Sequence, residues 1–377
     1  MTKQFKILYR GGIVLLAVLA AMLLGAMVLT AIGADVLRVY GVILTEPLKN
    51  FSLVSEVIIR AIPLTIIALG ISVAYRCGII NIGAEGQMVM GILSAAAVSL
   101  ALPDLPRPLL LPLVLLAGCA GGALWGVIPG LLKAKLEVSE LLSTVMLNYI
   151  AAQFYTFCLR GPMLDPAELT MGSGTPQTMR LTRNIWLDRF IPGTRLHTGI
   201  FIALALAVVI YLLLWKTTWG YKMRAAGAQE RAARYGGINV AAYLIVSIGI
   251  SGAFAGIAGA VEIAGVHRRA IEGITGGYGF SAIVVALFGG LHPAGIIPAS
   301  FFFGLLIVGA DMTQRMVGVP ANMVQVLQGI IILVIVSTKM ILANPYLMER
   351  VWRKWETRGK KNTPEPRETA QNGEVVG

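Results

Sequence analysis

The stretch 75-YRCGIINIGAEGQMVMG-91 sets the problem of this chain. Asn81, Glu85 and Gln87 stand there among four glycines, inside a sequence that is otherwise close to hydrocarbon. On insertion scales an acidic residue at mid-span costs up to about 3 kcal/mol, and less toward the span ends. The sequence on either side of Glu85 decides whether that cost applies. Of 377 residues, 56% are hydrophobic and only 13% are charged, and the mean hydropathy is +0.77. Soluble domains average about 25% charged residues. The apolar residues also come in runs that reach the roughly 20 residues needed to cross a bilayer as helix. The fold class is therefore all-α and polytopic, a single domain embedded in lipid, and soluble-domain length priors do not apply.

Apolar runs predict about ten spans: 11–33, 58–75, 79–101, 109–132, 140–160, 198–215, 240–264, 278–291, 294–312 and 322–342. The transmembrane domain then covers 11–342, with a cytoplasmic N-terminus at 1–10. The opening stretch enters the third span. The eighth is short, as expected of a tilted, broken or re-entrant helix beside a cavity. Residues 31–34 (AIGA) make a poor cleavage site, so the first run reads as an uncleaved helix rather than a signal peptide. Between the first two spans lies a partly polar stretch containing Glu46-Pro47. The long polar stretch 161–197 reads as an extracellular or periplasmic loop, and 216–239 as a cytoplasmic one. The tail 343–377 has no apolar periodicity and reads as disordered.

With the N-terminus inside, the inner segments hold 19 of the 31 Lys and Arg residues and the outer ones 12. That is the asymmetry of the positive-inside rule, and it puts both termini in the cytoplasm. The net charge of +12 has the same origin. No basic run is interleaved with stacking aromatics, so nucleic acid is excluded as a partner and the lipid bilayer is the expected one. Cys77, Cys119 and Cys158 are widely spaced in apolar surroundings and fit neither a disulfide framework nor a metal site.

Two spans carry small residues at intervals of four: Gly118, Gly122, Gly126 and Gly130 in one, Gly252, Gly256 and Ala260 in another. Such faces let helix backbones approach closely in lipid. The inner loop 216-KTTWGYKMRAAGAQERAARYGGINV-240 predicts a short helix over 225–235, closed by Gly236-Gly237. Its alanines give it a low profile, and Arg224, Arg231 and Arg234 give it charge. It reads either as a knob that docks into a partner's groove or as an ordinary positive-inside loop.

Three motifs together resemble the permease subunits of ABC importers for branched-chain amino acids, ribose and nucleosides. The first is Gly220, Arg224-Ala225, Gly227, Ala232-Ala233 and Gly237-Ile238-Asn239. The second is Arg76, Gly78, Asn81, Ile82, Gly83, Glu85, Gly86 and Gln87, whose NIGAEGQM is similar to the nucleoside and simple-sugar branch. The third is 277-GYGFSAIVVALFGGLHPAGI-296. They lie in order across about 58–340. Gln229 departs from the family, which usually has Asn or Asp there.

The resemblance implies a multi-pass protein of a bacterial or archaeal plasma membrane that transports and does not catalyse. It also implies three partners: a cytosolic ABC ATPase contacted through Gly220, Arg224, Ala225, Gly227, Arg231, Ala232 and Gly237, a second permease completing the path, and a solute-binding protein. The chain has no Gly-x-x-x-x-Gly-Lys-Ser/Thr, so ATP and Mg would be bound by the partner and no cofactor by this chain.

Asn81, Gly83, Glu85, Gly86, Gln87 and Phe280 are the candidate path residues. Glu85 reads either as a clasp on backbone freed at Gly78, Gly83 and Gly86, or as a gate or solute contact. Phe280, Phe288 and 301–303 are candidates for stacking on a nucleobase. The implied solutes are nucleosides or related ribose-type compounds, with simple sugars or branched-chain amino acids as the alternative. A rival of another class is a proton-coupled transporter carrying its proton on Glu85 or Glu262, and a third reading is a membrane scaffold.

Overall fold

The computed structural model describes residues 19–172 and 174–320, together with positions 16, 323, 326, 329, 330 and 334. The segments 1–10 and 343–377, and most of the expected span 322–342, lie outside the described residues. Two bodies separate by their internal contacts, one of residues 33–325, the other of residues 1–32 with 326–377. In the second, helix α1 runs over Leu19–Ala31, within the first expected span.

The larger body is helical, and among the described residues its only β-pairing is two isolated bridges. It opens with α2, Val36–Thr45, whose first turn is capped by Asp35 accepting from the Arg38 amide at 3.1 Å. Sequence reading took this stretch for a partly polar connection. It missed the helix because ten residues are too few to register as a span. Then come α3 (Phe51–Arg76), α4 (Ala84–Ala101), α5 (Arg107–Leu136) and α6 (Glu140–Arg160). A four-residue turn, α7 (Glu168–Met171), precedes α8 (Gly199–Lys216), α9 (Thr218–Ala228) and α10 (Glu230–Tyr235). The chain continues through α11 (Val240–Glu262), α12 (Tyr278–Phe288) and α13 (Pro293–Val317).

Among the described residues, seven helices are long and apolar enough to cross a membrane: α3, α4, α5, α6, α8, α13, and α11 with its π-helical extension to His267. α3 begins seven residues earlier than its apolar run, because Glu56 belongs to it, and Arg60 lies within that run. Both charges have partners there: Arg195 stands 3.0 Å from Glu56, and the Tyr278 hydroxyl 2.9 Å from Arg60. α3 is also the central helix, with 89% of its most apolar window buried against 22% for α5.

The glycine faces explain how the helices around α3 come so close. α11 packs most extensively against α5, and then against α3 and α4. Gly118, Gly122, Gly126 and Gly130 of α5 lie against 245–260 of α11. A Cβ at Gly118 would stand 2.8 Å from that of Ala260, and one at Gly122 would overlap the Gly252 carbonyl oxygen. Gly256 meets both Gly118 and Gly91 of α4, so three backbones touch at one level. Lipid supplies no hydrophobic drive to bring helices together, and contact dispersion along such faces holds them.

The connections alternate between two ends of this body. One end gathers the α3–α4 break, the α5–α6 turn, α9–α10 and the α12–α13 turn. The other gathers the segments 102–106, 161–198 and 268–277.

Candidate functional site

The opening stretch is a break, not the start of a span. Gly78, at φ +88°, closes α3 in the left-handed cap that only glycine adopts without strain, and the Ile79 amide returns to the Ala74 carbonyl at 3.1 Å. Residues 79–83 then run without helix until α4 begins at Ala84. The third expected span, 79–101, therefore loses its first turn and a half. Freed backbone inside a membrane needs partners, and the side chains of this stretch and its neighbours supply them. Asn81 accepts from the Gly83 amide at 2.9 Å and donates to Gln87 at 2.8 Å and to the Ser251 hydroxyl at 2.9 Å. Asn148 of α6 accepts from the Gly86 amide at 2.8 Å and donates to the Ile82 carbonyl at 3.0 Å. Asn148 lies about 12 Å along α6 from Glu140, at 1.5 Å per residue, so the break reaches well inside the span.

α12 is a second broken element. Its eleven residues span about 16 Å, roughly half of a 30 Å hydrocarbon core. Glu85 closes its N-terminus: one carboxylate oxygen accepts from the Gly279 amide at 2.7 Å and the other from Gly277 at 3.3 Å. The Thr275 hydroxyl and the Phe280 amide also face this carboxylate. Arg76 closes the opposite end. Its guanidinium donates to the carbonyls of Leu291 at 3.1 Å and Gly290 at 3.2 Å, just past α12, and lies 5.2 Å from the Trp215 ring centroid. A negative group at the N-terminus and a positive one at the C-terminus are the placements that a helix dipole favours. The two charged residues of 75–91 thus hold both ends of one short helix some 200 residues away. The expected clasp partners of Glu85, near Gly78, Gly83 and Gly86, are replaced by amides of Gly277 and Gly279, which no sequence proximity indicates.

The 216–239 loop rests on the same break. α9 starts at Thr218, where the Thr217 hydroxyl accepts from the Gly220 amide at 3.1 Å. The helix expected over 225–235 is in fact two, because Gln229 is extended (φ −158°, ψ 102°) and separates α9 from α10. Gly227 lies flat on the end of α3: a Cβ there would overlap the Arg76 carbonyl oxygen and stand 2.7 Å from the Gly78 nitrogen. On the opposite side the loop is open. Arg231, Ala232 and Gly237 are exposed, as are Trp219, Tyr221 and Tyr235, the last at 95%. Arg224 and Ala225 are half-buried and Gly220 is buried against α8.

The candidate path residues divide. Asn81, Gly83, Gly86 and Gln87 are buried, the first, second and fourth bonded to one another and Gly86 to Asn148, whereas Glu85 is half-buried and Phe280 is 48% exposed. Phe288, Phe302 and Phe303 pack on one another with centroids 5.8–6.2 Å apart, and Phe280 has no such ring partner among the described residues, although Phe288 is exposed as well. His292 caps α13 by accepting from the Ala294 amide at 3.2 Å and packs 4.6 Å from Trp215. Sequence reading passed over Asn148, Thr275, Arg60 and Tyr278, and took Ser251 only for a small packing residue. A polar residue inside an apolar run was the available signal for Asn148 and Ser251.

A family profile described as "Branched-chain amino acid transport system / permease component" matches residues 53–336. The chain belongs to this permease family. Among curated relatives, the permease is 35% identical over 325 residues to the guanosine ABC transporter permease protein NupP of Bacillus subtilis, covering 86% of this chain and 92% of that one. It is 34% identical over 340 residues to the glucose ABC transporter permease protein TsgB13 of Haloferax volcanii, covering 87% of each chain. It is also 34% identical over 325 residues to the nucleoside ABC transporter permease protein NupB of Lactococcus lactis subsp. cremoris, covering 84% of this chain and 88% of the relative. This permease is accordingly a multi-pass membrane protein and a transport component, not an enzyme.

Proposed function

We propose that this permease forms half of the translocation path of an ATP-driven importer for nucleosides, with α12 as the element through which ATP hydrolysis acts on the path. The observation that carries the reading is the continuous contact from the exposed α9–α10 ridge, through Gly227, to the α3–α4 break whose Arg76 and Glu85 hold α12 at both ends. A partner ATPase, binding ATP and Mg, docks on the ridge at Arg224, Arg231 and Ala232. Its closure presses α9 against the break, and α12 follows because both of its termini are tied to that break. A second permease supplies the other half of the path, a solute-binding protein delivers the solute, and the assembly resides in a plasma membrane. Glu85 serves as the clasp of α12, and the exposed Phe280 beside it offers a ring face to a nucleobase.

The substrate class rests on the guanosine and nucleoside relatives. The glucose relative, matched over as much of the chain, favours simple sugars as a second reading. The two are separated by uptake in cells that lack this chain. The proposal expects loss of labelled guanosine or uridine uptake, restored by the unsubstituted chain, and unchanged glucose uptake. Loss of glucose uptake alone transfers the function to sugars.

A further inference from the structure

The end of the larger body away from α9 and α10 carries a cationic cluster that the transport reading does not use. Trp186 lies at its centre, with the guanidinium of Arg268 4.0 Å from the ring centroid, Arg180 at 4.7 Å and Arg183 at 5.7 Å. Arg189 adds a fourth charge to the field on Arg268. Like charges at this spacing repel, and the nearby carboxylates are taken. Asp188 is held by Arg107, with contacts of 2.6 and 3.0 Å, Glu272 by Arg160 and Thr156, and Glu56 by Arg195. Among the described residues, none of Arg180, Arg183, Arg189 and Arg268 forms an ion pair, and the Arg268 Nε is buried without a hydrogen bond. The indole N–H of Trp186 donates to the Leu181 carbonyl at 3.1 Å, so the donors left open here are guanidinium groups.

Three spans fix the height of this cluster. Arg268 follows directly on His267, where α11 and its extension end, and it adopts a left-handed φ of +60°, uncommon for a residue with a Cβ. The Leu181 amide donates to the Arg268 carbonyl at 2.9 Å, and the Leu187 amide to the Ala264 carbonyl, inside that span, at 3.1 Å. Arg107, which holds Asp188, is the first residue of α5. The Thr198 amide, at the start of α8, donates to the Asp188 carbonyl at 2.9 Å. The cluster is therefore level with the ends of α5, α8 and α11 rather than raised above them. Directly after Arg189, the Phe190 ring packs on Phe201 with centroids 5.4 Å apart, and both residues stay exposed. Phe201 is the third residue of α8, so an open apolar face runs from a span onto the loop that bears the arginines. Tryptophan at the end of a span, with arginines around it, is the composition of a membrane–water boundary.

We infer that the arginine cluster around Trp186 binds the headgroup phosphate of an anionic phospholipid at the membrane surface. Guanidinium forks match phosphate oxygens two at a time, and Arg180, Arg183 and Arg189 are exposed to meet them. A zwitterionic headgroup brings its own cation into a field of four arginines, so the lipid selected is one of net negative charge. The height of the cluster and the apolar rings of Phe190 and Phe201 favour lipid over a protein partner, because a phospholipid presents phosphate and hydrocarbon side by side where the spans end. The inference needs only the multi-pass fold, and stands apart from the solute and the ATPase. Attraction of arginine to an anionic membrane surface weakens with salt.

The test follows the unfolding temperature of the complete transporter in a neutral detergent as lipid is titrated in. Phosphatidylglycerol is expected to stabilise it at far lower concentration than phosphatidylcholine. Arg180→Gln with Arg183→Gln should raise the half-saturating phosphatidylglycerol concentration roughly thirtyfold, the change expected of two arginines at an anionic surface. The unfolding temperature without lipid should stay unchanged in that variant, and Arg315→Gln, on α13, should bind phosphatidylglycerol as the unsubstituted complex does. In the unsubstituted complex, raised salt should weaken stabilisation by phosphatidylglycerol and not by phosphatidylcholine, which decides the matter even where the double variant fails to assemble. Equal half-saturating concentrations in the double variant and the unsubstituted complex overturn the inference, as does equal stabilisation by phosphatidylcholine or indifference to salt. Stabilisation by inorganic phosphate at the same phosphorus concentration assigns the cluster to a free anion and overturns the lipid. A double variant that binds phosphatidylglycerol normally, but responds more weakly to the solute-binding protein in phosphatidylcholine nanodiscs, assigns the arginines to that protein and overturns it as well.

Discussion

Replacing Glu85 separates a clasp from a gate. Its two oxygens serve different amides, Gly279 at 2.7 Å and Gly277 at 3.3 Å. Glu85→Gln keeps one acceptor, turns a donor toward the other amide and removes the charge at the α12 N-terminus. A hydrogen bond to a charged group is worth about 1.5–3 kcal/mol, and a charge at a helix terminus about 0.3–1 kcal/mol, so the variant should lose about 3 kcal/mol. Glu85→Ala strands both amides, at about 1–3 kcal/mol each, for a total near 4 kcal/mol. The neighbouring backbone offers no relief, since a Cβ on Gly279 would already stand 2.5 Å from the Glu85 Cα. Thermal unfolding of the detergent-purified complex, followed by size-exclusion fluorescence, should rank the unsubstituted chain above Glu85→Gln and that above Glu85→Ala. Residual uptake should persist only in Glu85→Gln. If both variants assemble with the unsubstituted thermal stability and both lose uptake, Glu85 contacts solute or gates the path, and the clasp account is wrong.

Arg224→Glu should leave the fold intact but uncouple ATP hydrolysis from uptake, whereas Gly227→Trp should uncouple them by lifting α9 off the end of α3; normal coupling ratios in both would break the link drawn from α9 to the break. Gly256→Leu would drive a side chain into the Gly118 carbonyl, at a cost of about 3 kcal/mol or more, and the variant should fail to survive purification. Recovery with a normal elution profile would contradict the close approach of α4, α5 and α11. His197 is buried just before α8, with Nδ1 accepting from the Gly199 amide at 3.2 Å, and burial holds its pKa below the ordinary value. The folded state therefore binds its proton less readily than the unfolded chain. The stability it contributes is complete above the unfolded pKa of about 6.5 and is lost as pH falls toward the folded one. Melting temperature should drop on acidification from pH 7 to 5, less so in His197→Gln, and equal slopes would refute the assignment.

How much of this was legible in the sequence depends on the range of the interaction. Gly118 to Gly130 and Gly252 to Ala260 were legible as packing faces, because a spacing of four puts small residues on one side of a helix, although not that the two faces meet each other. The brevity of α12 was visible in its apolar run. What holds α12 was not, since Arg76 and Glu85 reach it across some 200 residues. Charge also misled at one boundary: Glu56 ended the apolar run, although it lies in α3 with Arg195 as its partner. The division of α9 from α10 at Gln229 escaped because alanines on both sides carry helix propensity across it. Only the tertiary requirement that Gly227 lie flat on Arg76 accompanies the bend.

The central claim is that this permease moves solute by a push transmitted from a partner ATPase. Proteoliposomes holding this chain, the second permease and the ATPase test it directly, with binding protein outside and ATP inside. The account predicts labelled guanosine uptake that needs internal ATP and the binding protein, persists without a proton gradient and falls in Arg224→Glu. Uptake by this chain alone, driven by a proton gradient and indifferent to ATP, would contradict it.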